Sequence, residues 1–172
     1  EAESGKNLTF SMVLYPTALK AKEQFSLSMV AALSCHQALG NYTDGFSIKW
    51  PNDIYWKDKK IGGILIENEL EGKYITQSII GIGLNVNQTS FDPTLPNPTS
   101  ISLETGNSYD LKDMLERYIE IFCHYISRYC NPHGGYAKLR TLYLSQMWRK
   151  GEISDFIDRT KSREVKFKGT IA

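Results

Sequence analysis

The chain has 172 residues, which is the size of about one domain. Hydrophobic residues make up 41% of it and charged residues 23%, a composition that excludes an extensively disordered, collagen-like or coiled-coil protein. Its 20 basic and 19 acidic side chains leave a formal charge of +1. The chain therefore lacks the basic excess that is typical of proteins binding nucleic acid or anionic lipid.

The cysteines indicate neither a disulfide framework nor a metal site. Cys35, Cys123 and Cys130 are odd in number, which is typical of a reducing compartment. Cys123, His124, Cys130 and His133 cluster in sequence, but helical residues seven apart are separated by about 10 Å along the axis. Two thiolates on one zinc ion lie less than about 5 Å apart. We therefore predict no metal site, and a cytoplasmic protein without a membrane span or a secretory signal.

The first half of the chain predicts one strand, one helix and then a series of strands. Apolar residues that alternate from Leu8 predict a strand ending at Pro16, and helical spacing predicts a helix over about 22–39. Short turns separate four further strands, at about 46–50, 54–56, 64–67 and 74–86. Because a parallel crossover needs a dozen or more residues, these short turns predict an antiparallel meander.

The second half predicts two helices and a closing strand. A polar, proline-bearing loop covers about 87–98, an apolar stripe predicts a helix over 111–129, and a shorter helix follows over 136–148. Residues 164–172 alternate as a strand whose pairing partners we expect to lie outside the chain, so that the sequence reads as a fragment. The sum predicts an α+β fold with helices on one face of a largely antiparallel or mixed sheet.

Two glycine motifs lie inside predicted strands and indicate a ligand-binding surface. Gly62 and Gly63 weaken a strand, and such pairs usually mean that something approaches the backbone closely or that the strand bulges. Lys60 precedes the pair and can place an ammonium group beside a bound anion. The segment 51–53, Pro-Asn-Asp, taken alone predicts only a turn.

Gly81 and Gly83 form the second motif. A dinucleotide-binding loop is excluded because Val86 stands where the third glycine would be and no helix opens there. Two interpretations remain open. The glycines let a flat ligand lie against the sheet with the Asn85 amide at the edge of a base, or they form a strand bulge with Asn85 in the following turn.

Three segments in register resemble the catalytic domain of biotin protein ligases. They are Lys49-Trp50-Pro51-Asn52-Asp53, Lys60-x-Gly62-Gly63-Ile64-Leu65-x-Glu67 and Gly81-x-Gly83-x-Asn85-Val86-Asn87. Three motifs within about forty residues are a specific match, and the resemblance extends from Ser4 to about Trp148. It implies a fold like that of class II aminoacyl-tRNA synthetases and biotin synthetases.

The resemblance implies a two-step reaction. Biotin and ATP, with Mg²⁺, form biotinyl-5′-AMP, and a lysine of the biotin carboxyl carrier domain of a carboxylase then displaces AMP. A homodimer is a further implication. Two alternatives stay open: a lipoate-protein ligase or octanoyl transferase of the same superfamily, and a biotin-sensing repressor in which the domain serves ligand binding and dimerisation.

The resemblance also implies roles for individual residues. Lys60 resembles the catalytic lysine between the biotin carboxylate and the α-phosphate, where a fixed cation opposes the repulsion of two anions. Asp53 resembles the acidic residue that steers or deprotonates the incoming lysine. Asn85 resembles the adenine contact, and Lys49 and Asn52 are expected to organise the loop or the nucleotide. The implied biotin-binding residues are Lys60, Gly62, Gly63, Ile64, Leu65, Gly81, Ile82 and Gly83.

The same resemblance divides the chain into two expected domains. Residues 1–150 are expected to form part of a ligase catalytic domain without its N-terminal portion. Residues 151–172 are expected to be a linker and the first strand of a truncated SH3-like domain. In the family, a segment rich in glycine and arginine lies upstream and neutralises phosphate. Because losing one preorganised donor costs about 10²–10³ in rate, we expect the chain alone to be nearly inactive.

Overall fold

The structure is a computed structural model that describes residues 2–130, 135–158, 160 and 163–171. Its strands are β1 (Leu8–Leu14), β2 (Phe46–Lys49), β3 (Asp53–Trp56), β4 (Lys59–Glu71), β5 (Tyr74–Leu84), β6 (Ile153–Asp158) and β7 (Val165–Thr170). Its α-helices are α1 (Phe25–Leu39), α2 (Ile101–Thr105), α3 (Leu111–Tyr129) and α4 (Tyr136–Ser145). A single 3₁₀ turn, Ala21–Glu23, precedes α1.

The larger of two sheets contains β1 to β5. Its strand order is β1-β5-β4-β3-β2, and all neighbouring strands in it are antiparallel. β2 to β5 form the meander that the short turns predict. Gly72, with φ of 59°, allows the tight turn between β4 and β5. The predicted α+β fold with a largely antiparallel sheet is confirmed.

The helices cover one face of this sheet, as predicted. α1 contacts β2, β3 and β4 on one side and α3 and α4 on the other, so residues such as Leu27 and Cys35 are fully buried. This burial raises the pKa of the Cys35 thiol. α3 begins at the cap Asp110, whose carboxylate accepts from two backbone N–H groups. Among the described helices, none is both long and apolar enough to cross a membrane.

The opposite face of β1, β4 and β5 is left open by the helices. On β1, Phe10 packs against the core, whereas Thr9, Ser11 and Val13, at alternate positions of the strand, are exposed on the open face. Val13 is 50% exposed although it is apolar. The open face is therefore the surface on which a ligand can meet the sheet.

The expectation that the closing strand lacks a partner within the chain is wrong. β7 pairs with β6 along its whole length: Val165 lies opposite Asp158 at one end of the ladder, and Thr170 lies opposite Ile153 at the other. The sequence does not predict β6, because its acidic residues break the apolar run that identifies a strand.

The last predicted helix is shorter than expected, because residues 146–149, here called the edge segment, leave α4 and run beside β2. The Ile48 N–H donates to the Gln146 carbonyl at 2.8 Å, and the Trp148 N–H donates to the Ile48 carbonyl at 2.9 Å.

Candidate active site

The open face of the sheet carries a floor of glycine backbone, formed by Gly63, Gly81 and Gly83. Gly63 and Gly83 are paired, and Ser11 and Leu65 flank Gly81 on the neighbouring strands. A Cβ at Gly83 would meet no atom within 4 Å, and one at Gly81 would lie 3.6 Å from the Ser11 hydroxyl. Leu65 stands at the rim with 65% of its surface exposed. A flat ligand can therefore approach the main chain at this glycine floor.

A β-bulge turns Lys60 toward the glycine floor. The register shifts between β3 and β4, so that Tyr55 pairs with Lys60 while the preceding residue of β3 pairs with Gly62. Because side chains alternate between faces, Lys60 and Gly63 would face opposite ways in an unbroken ladder. The extra residue, Ile61, lets both face the floor and is itself fully buried.

Lys60 and Asp53 form an ion pair above this floor. The Lys60 Nζ lies 2.5 Å from the Asp53 Oδ1, and each atom is 3.8 Å from the position that a Cβ of Gly63 would occupy. The side chains are 44% and 23% exposed, so an anion can reach the ammonium group and an amine can reach the carboxylate. The structure thus brings together the two residues predicted to be catalytic.

Three of the predicted biotin-binding residues face the core instead: Ile64 and Ile82 with their side chains, and Gly62 with the position that a Cβ would occupy. Ile64 and Ile82 are only 5% and 2% exposed. A Cβ at Gly62 would lie 2.5 Å from the Leu84 Cδ2 and 2.8 Å from the Gly83 carbonyl oxygen. The main chain of all three residues borders the open face, so any contact that they make with a ligand there is through the backbone.

A loop forms a wall beside the glycine floor. Residues 87–98, predicted only as a polar loop, enclose a cavity of about 420 Å³ together with Lys60, Gly83 and Asn85. This volume is within the range of small-molecule sites. Sequence reasoning missed these lining residues, although apolar side chains in an otherwise polar loop were a signal. The apolar residues of the loop in this wall are Phe91, Leu95, Pro96 and Pro98.

Hydrogen bonds join this wall to the strand that carries Lys60. The Lys60 N–H donates to the Asn97 carbonyl at 2.9 Å, and the Lys60 carbonyl accepts from the Thr99 N–H at 2.9 Å. The Asn97 side-chain amide donates to the Asp58 carbonyl. The main chain at Lys60 and the wall therefore belong to one hydrogen-bonded unit.

Asn85 follows β5 directly and lines the cavity. Its side-chain amide is engaged, because Nδ2 donates to the Thr99 carbonyl at 3.0 Å. Its backbone N–H donates to the Ile61 carbonyl at 2.8 Å. The Oδ1 atom accepts no hydrogen bond from the described residues, which leaves it able to accept one from an amine of a ligand.

Asn52 and Lys49 make contacts that organise the loop before Asp53. The Asn52 Nδ2 donates to the Ile64 carbonyl at 3.0 Å, and the Ile64 N–H donates back to the Asn52 carbonyl at 2.9 Å. The Lys49 Nζ lies 2.8 Å from the Tyr55 hydroxyl. Neither residue lines the 420 Å³ cavity, so organising the loop is the role that this geometry supports, and a nucleotide contact from either stays a prediction.

The part of the chain that the structure describes contains no group of three or more His, Cys, Asp or Glu side chains suited to hold a metal ion. His133, one member of the cluster considered from sequence, lies outside the described residues. The three cysteines are free thiols; Cys35 is buried and Cys123 is exposed.

Similar sequences point to one family. Residues 3–85 match the biotin/lipoate A/B protein ligase family. A biotin–[acetyl-CoA-carboxylase] ligase from Paracoccus denitrificans is 31% identical over 167 residues, which cover 92% of this chain and 67% of that protein. A bifunctional ligase/repressor BirA from Bacillus spizizenii is 34% identical over 130 residues, 70% of this chain but only 38% of that protein.

The fold is similar to that of solved structures with related sequences. A biotin protein ligase from Aquifex aeolicus, solved in complex with biotin and ATP, matches with a TM-score of 0.76 at 28% identity. The match covers 96% of this chain and 66% of the Aquifex chain. It confirms the expected fold of the class II synthetase and biotin synthetase type.

Proposed function

This chain belongs to the biotin/lipoate A/B protein ligase family, as a biotin protein ligase catalytic domain, and we propose that it activates biotin with ATP and transfers it to a carrier lysine. The observation that carries the proposal is the Lys60–Asp53 ion pair above the glycine floor. A lipoate ligase is not favoured, because the named relatives are biotin ligases.

In the first step, Lys60 neutralises two anions that must meet. A biotin carboxylate oxygen attacks the α-phosphorus of ATP, a P–O bond forms, and pyrophosphate leaves. The Lys60 ammonium group lowers the repulsion between the carboxylate and the phosphate and stabilises the charge that builds up on phosphorus. The glycine floor holds the rest of the biotin flat against the backbone, with Leu65 at its rim.

In the second step, Asp53 acts as the base. The Asp53 carboxylate lies 2.5 Å from the Lys60 ammonium group, so we propose that the adenylate competes for the ammonium group and releases Asp53. The carrier lysine then attacks the acyl carbon, its N–C bond forms, the C–O bond to AMP breaks, and the proton of the amine goes to Asp53. This exchange of partners would keep the base occupied until the adenylate is present.

The 420 Å³ cavity is the proposed nucleotide site. Asn85 Oδ1 is free to accept a hydrogen bond from the exocyclic amine of adenine, and Phe91 and Leu95 supply apolar surface for its ring. We propose that Mg²⁺ enters with the ATP phosphates, because Mg²⁺ is usually held by phosphates with one or two carboxylates rather than by an all-protein cage.

The partner, the location and the domain organisation complete the proposal. The carrier domain of a carboxylase is proposed from the name of the Paracoccus relative, and a cytoplasmic location is supported by the three free thiols. The separate β6–β7 sheet supports residues 151–172 as part of a second domain after a catalytic portion in 1–150. A homodimer, and the repressor role named for the Bacillus relative, are to be tested by sedimentation and by DNA binding.

Titration calorimetry with biotin and with lipoate tests the proposed function, and Lys60→Met tests its mechanism. We expect biotin to bind. We expect the substitution to slow biotin-dependent release of pyrophosphate by about 10²–10³-fold, the typical cost of one lost electrostatic donor, and the release is followed in a single turnover because the chain alone is expected to react slowly. Lys59→Met is the matched control, because Lys59 is adjacent but pairs with Glu104 at 2.9 Å. Binding of lipoate in preference to biotin, or an unchanged rate in Lys60→Met, would overturn the proposal.

A further inference from the structure

The turn between β3 and β4 is clamped from outside by the edge segment. The Arg149 Nη2 lies 2.9 Å from the Asp58 Oδ1. The Trp148 indole N–H is shared between the Lys57 carbonyl at 3.1 Å and the Asp58 Oδ1 at 3.2 Å. Lys57 and Asp58 form the turn itself. The side chains of Trp148 and Arg149, which are consecutive in the edge segment, therefore both bind this two-residue turn.

The Trp148 ring is held between cations and a second aromatic ring. The Arg149 guanidinium carbon lies 4.4 Å from the ring centroid and the Lys49 Nζ lies 5.0 Å from it. The Tyr55 ring, on the strand of Asp53, packs against the indole with centroids 5.4 Å apart. These contacts hold the indole in the orientation in which its N–H faces the turn.

On its inner side the same turn supports the nucleotide wall. The Asp58 carbonyl accepts the Asn97 side-chain amide, and the Asn97 carbonyl accepts the Lys60 N–H at 2.9 Å. Asn97 stands between Pro96 and Pro98, which line the cavity. The Asp58 side chain is thus held by Trp148 and Arg149, while its main chain holds the residues that shape the proposed ATP site.

We propose that Trp148, Arg149 and Asp58 are positioning residues for the nucleotide wall. None of the three lines the cavity, so they act through Asn97 and not by touching substrate. The Arg149–Asp58 pair is 39% and 67% exposed, and exposed pairs contribute little to global stability. The pair therefore acts mainly on the position of the turn. A shift of the turn changes the affinity for ATP but leaves the biotin side of the glycine floor in place.

The inference rests on the proposed function, because ATP is the ligand by which it is measured. The test compares Arg149→Met, Arg149→Lys and Trp148→Phe in the full chain, with dissociation constants for ATP and for biotin from calorimetry. Arg149→Met and Trp148→Phe are expected to weaken ATP roughly 2- to 30-fold, the usual size of such coupling, with biotin affinity unchanged. Arg149→Lys, which keeps the charge, is expected to recover most of the affinity for ATP.

The matched control is Lys112→Met, which removes the cation of an exposed pair on α3, where Nζ lies 3.7 Å from Glu116. Both Met variants are expected to unfold at nearly the same temperature as the unchanged chain. A second measurement follows hydrogen exchange at the Lys60 and Thr99 amides, which donate into this unit. Their protection is expected to fall in Arg149→Met and to stay constant in Lys112→Met.

The outcomes separate the inference from the proposed function. Equal loss of ATP and biotin affinity, or ATP affinity unchanged in both Arg149→Met and Trp148→Phe, would overturn the positioning role alone. Absence of ATP binding by the unchanged chain would overturn the proposed nucleotide site, and the inference with it. A larger loss of stability in Arg149→Met than in Lys112→Met, with no selective effect on ATP, would assign the clamp to folding.

Discussion

The two faces of β4 and β5 are built from the same strands for opposite purposes. On the core face, Ile64, Ile80 and Ile82 are buried among the helices. On the open face, at alternate positions of the same strands, the glycine floor leaves backbone accessible. Because side chains alternate strictly along a strand, stability and binding are assigned to different residues one position apart. Substitutions on the two faces should therefore have separable effects.

The largest effect is expected from Asp53→Asn on the open face. The substitution preserves size but removes the proposed proton acceptor, so transfer of biotin to the carrier should slow by about 10²–10⁴-fold. Single-turnover transfer from added biotinyl-5′-AMP measures this step, and pyrophosphate release measures the first one. Stability and the first step should change little. Equal slowing of both steps would mean that Asp53 serves only to hold Lys60.

Gly83→Val comes next and tests the floor itself. A Cβ at this position meets no protein atom within 4 Å, so the added groups occupy ligand space and should weaken biotin by about 10–200-fold. The urea midpoint should not fall, because valine suits a strand better than glycine does. Val13→Thr, on the same face of β1, is the control. Unchanged biotin affinity in Gly83→Val would show that the ligand lies elsewhere.

Gly62→Ala is the matching change on the core face. Its Cβ would lie 2.5 Å from the Leu84 side chain and 2.8 Å from the Gly83 backbone oxygen, and backbone cannot move aside cheaply. Overpacking of this kind costs about 1–3 kcal/mol, measurable as a lower free energy of unfolding in urea. A fully stable variant that loses biotin would contradict the division of labour between the faces.

The smallest effect is expected from Tyr118→Phe, deep beneath the core face. The Tyr118 hydroxyl is buried without a hydrogen-bond partner among the described residues, and burial raises its pKa. Removing it should leave stability unchanged or raise it by up to about 1 kcal/mol. Tyr109→Phe is the control, since that hydroxyl bonds to Thr105 at 2.9 Å and its loss should cost about 0.5–1.5 kcal/mol. Equal destabilisation by both changes would indicate an unseen partner for Tyr118.

The spacing of apolar residues is sufficient to predict the helices and strands in which that spacing is regular. The apolar stripe predicts α3 over 111–129, and the helix spans Leu111–Tyr129. The alternation predicts a strand from Leu8 that ends at Pro16, and β1 spans Leu8–Leu14. In both, one apolar stripe faces one core, so sequence periodicity and burial agree. The five-residue α2 went unpredicted because a helix of little more than one turn shows no period.

The site was predictable in its residue types but not in its geometry. The motif resemblance identified Lys60 and Asp53, yet alternation along β4 cannot reveal that the ladder gains a residue at Ile61. It likewise placed Ile64 and Ile82 in the slot, because a motif does not distinguish side chain from backbone. The wall formed by residues 87–98 is a tertiary feature, since it depends on where Asn97 meets Lys60 in space.

Because of the bulge at Ile61, the number of residues in β4 decides on which face of the sheet the Lys60 side chain lies. The Lys60 side chain owes its orientation toward the open face to one extra residue in β4, so deleting Ile61 would turn that side chain toward the apolar core. Point substitutions can tune the reactive centre by degrees, whereas a change of strand length by a single unit would erase it outright. The turn around Gly72 can accommodate a change in length instead, because no side chain there has to stay on a particular face of the sheet.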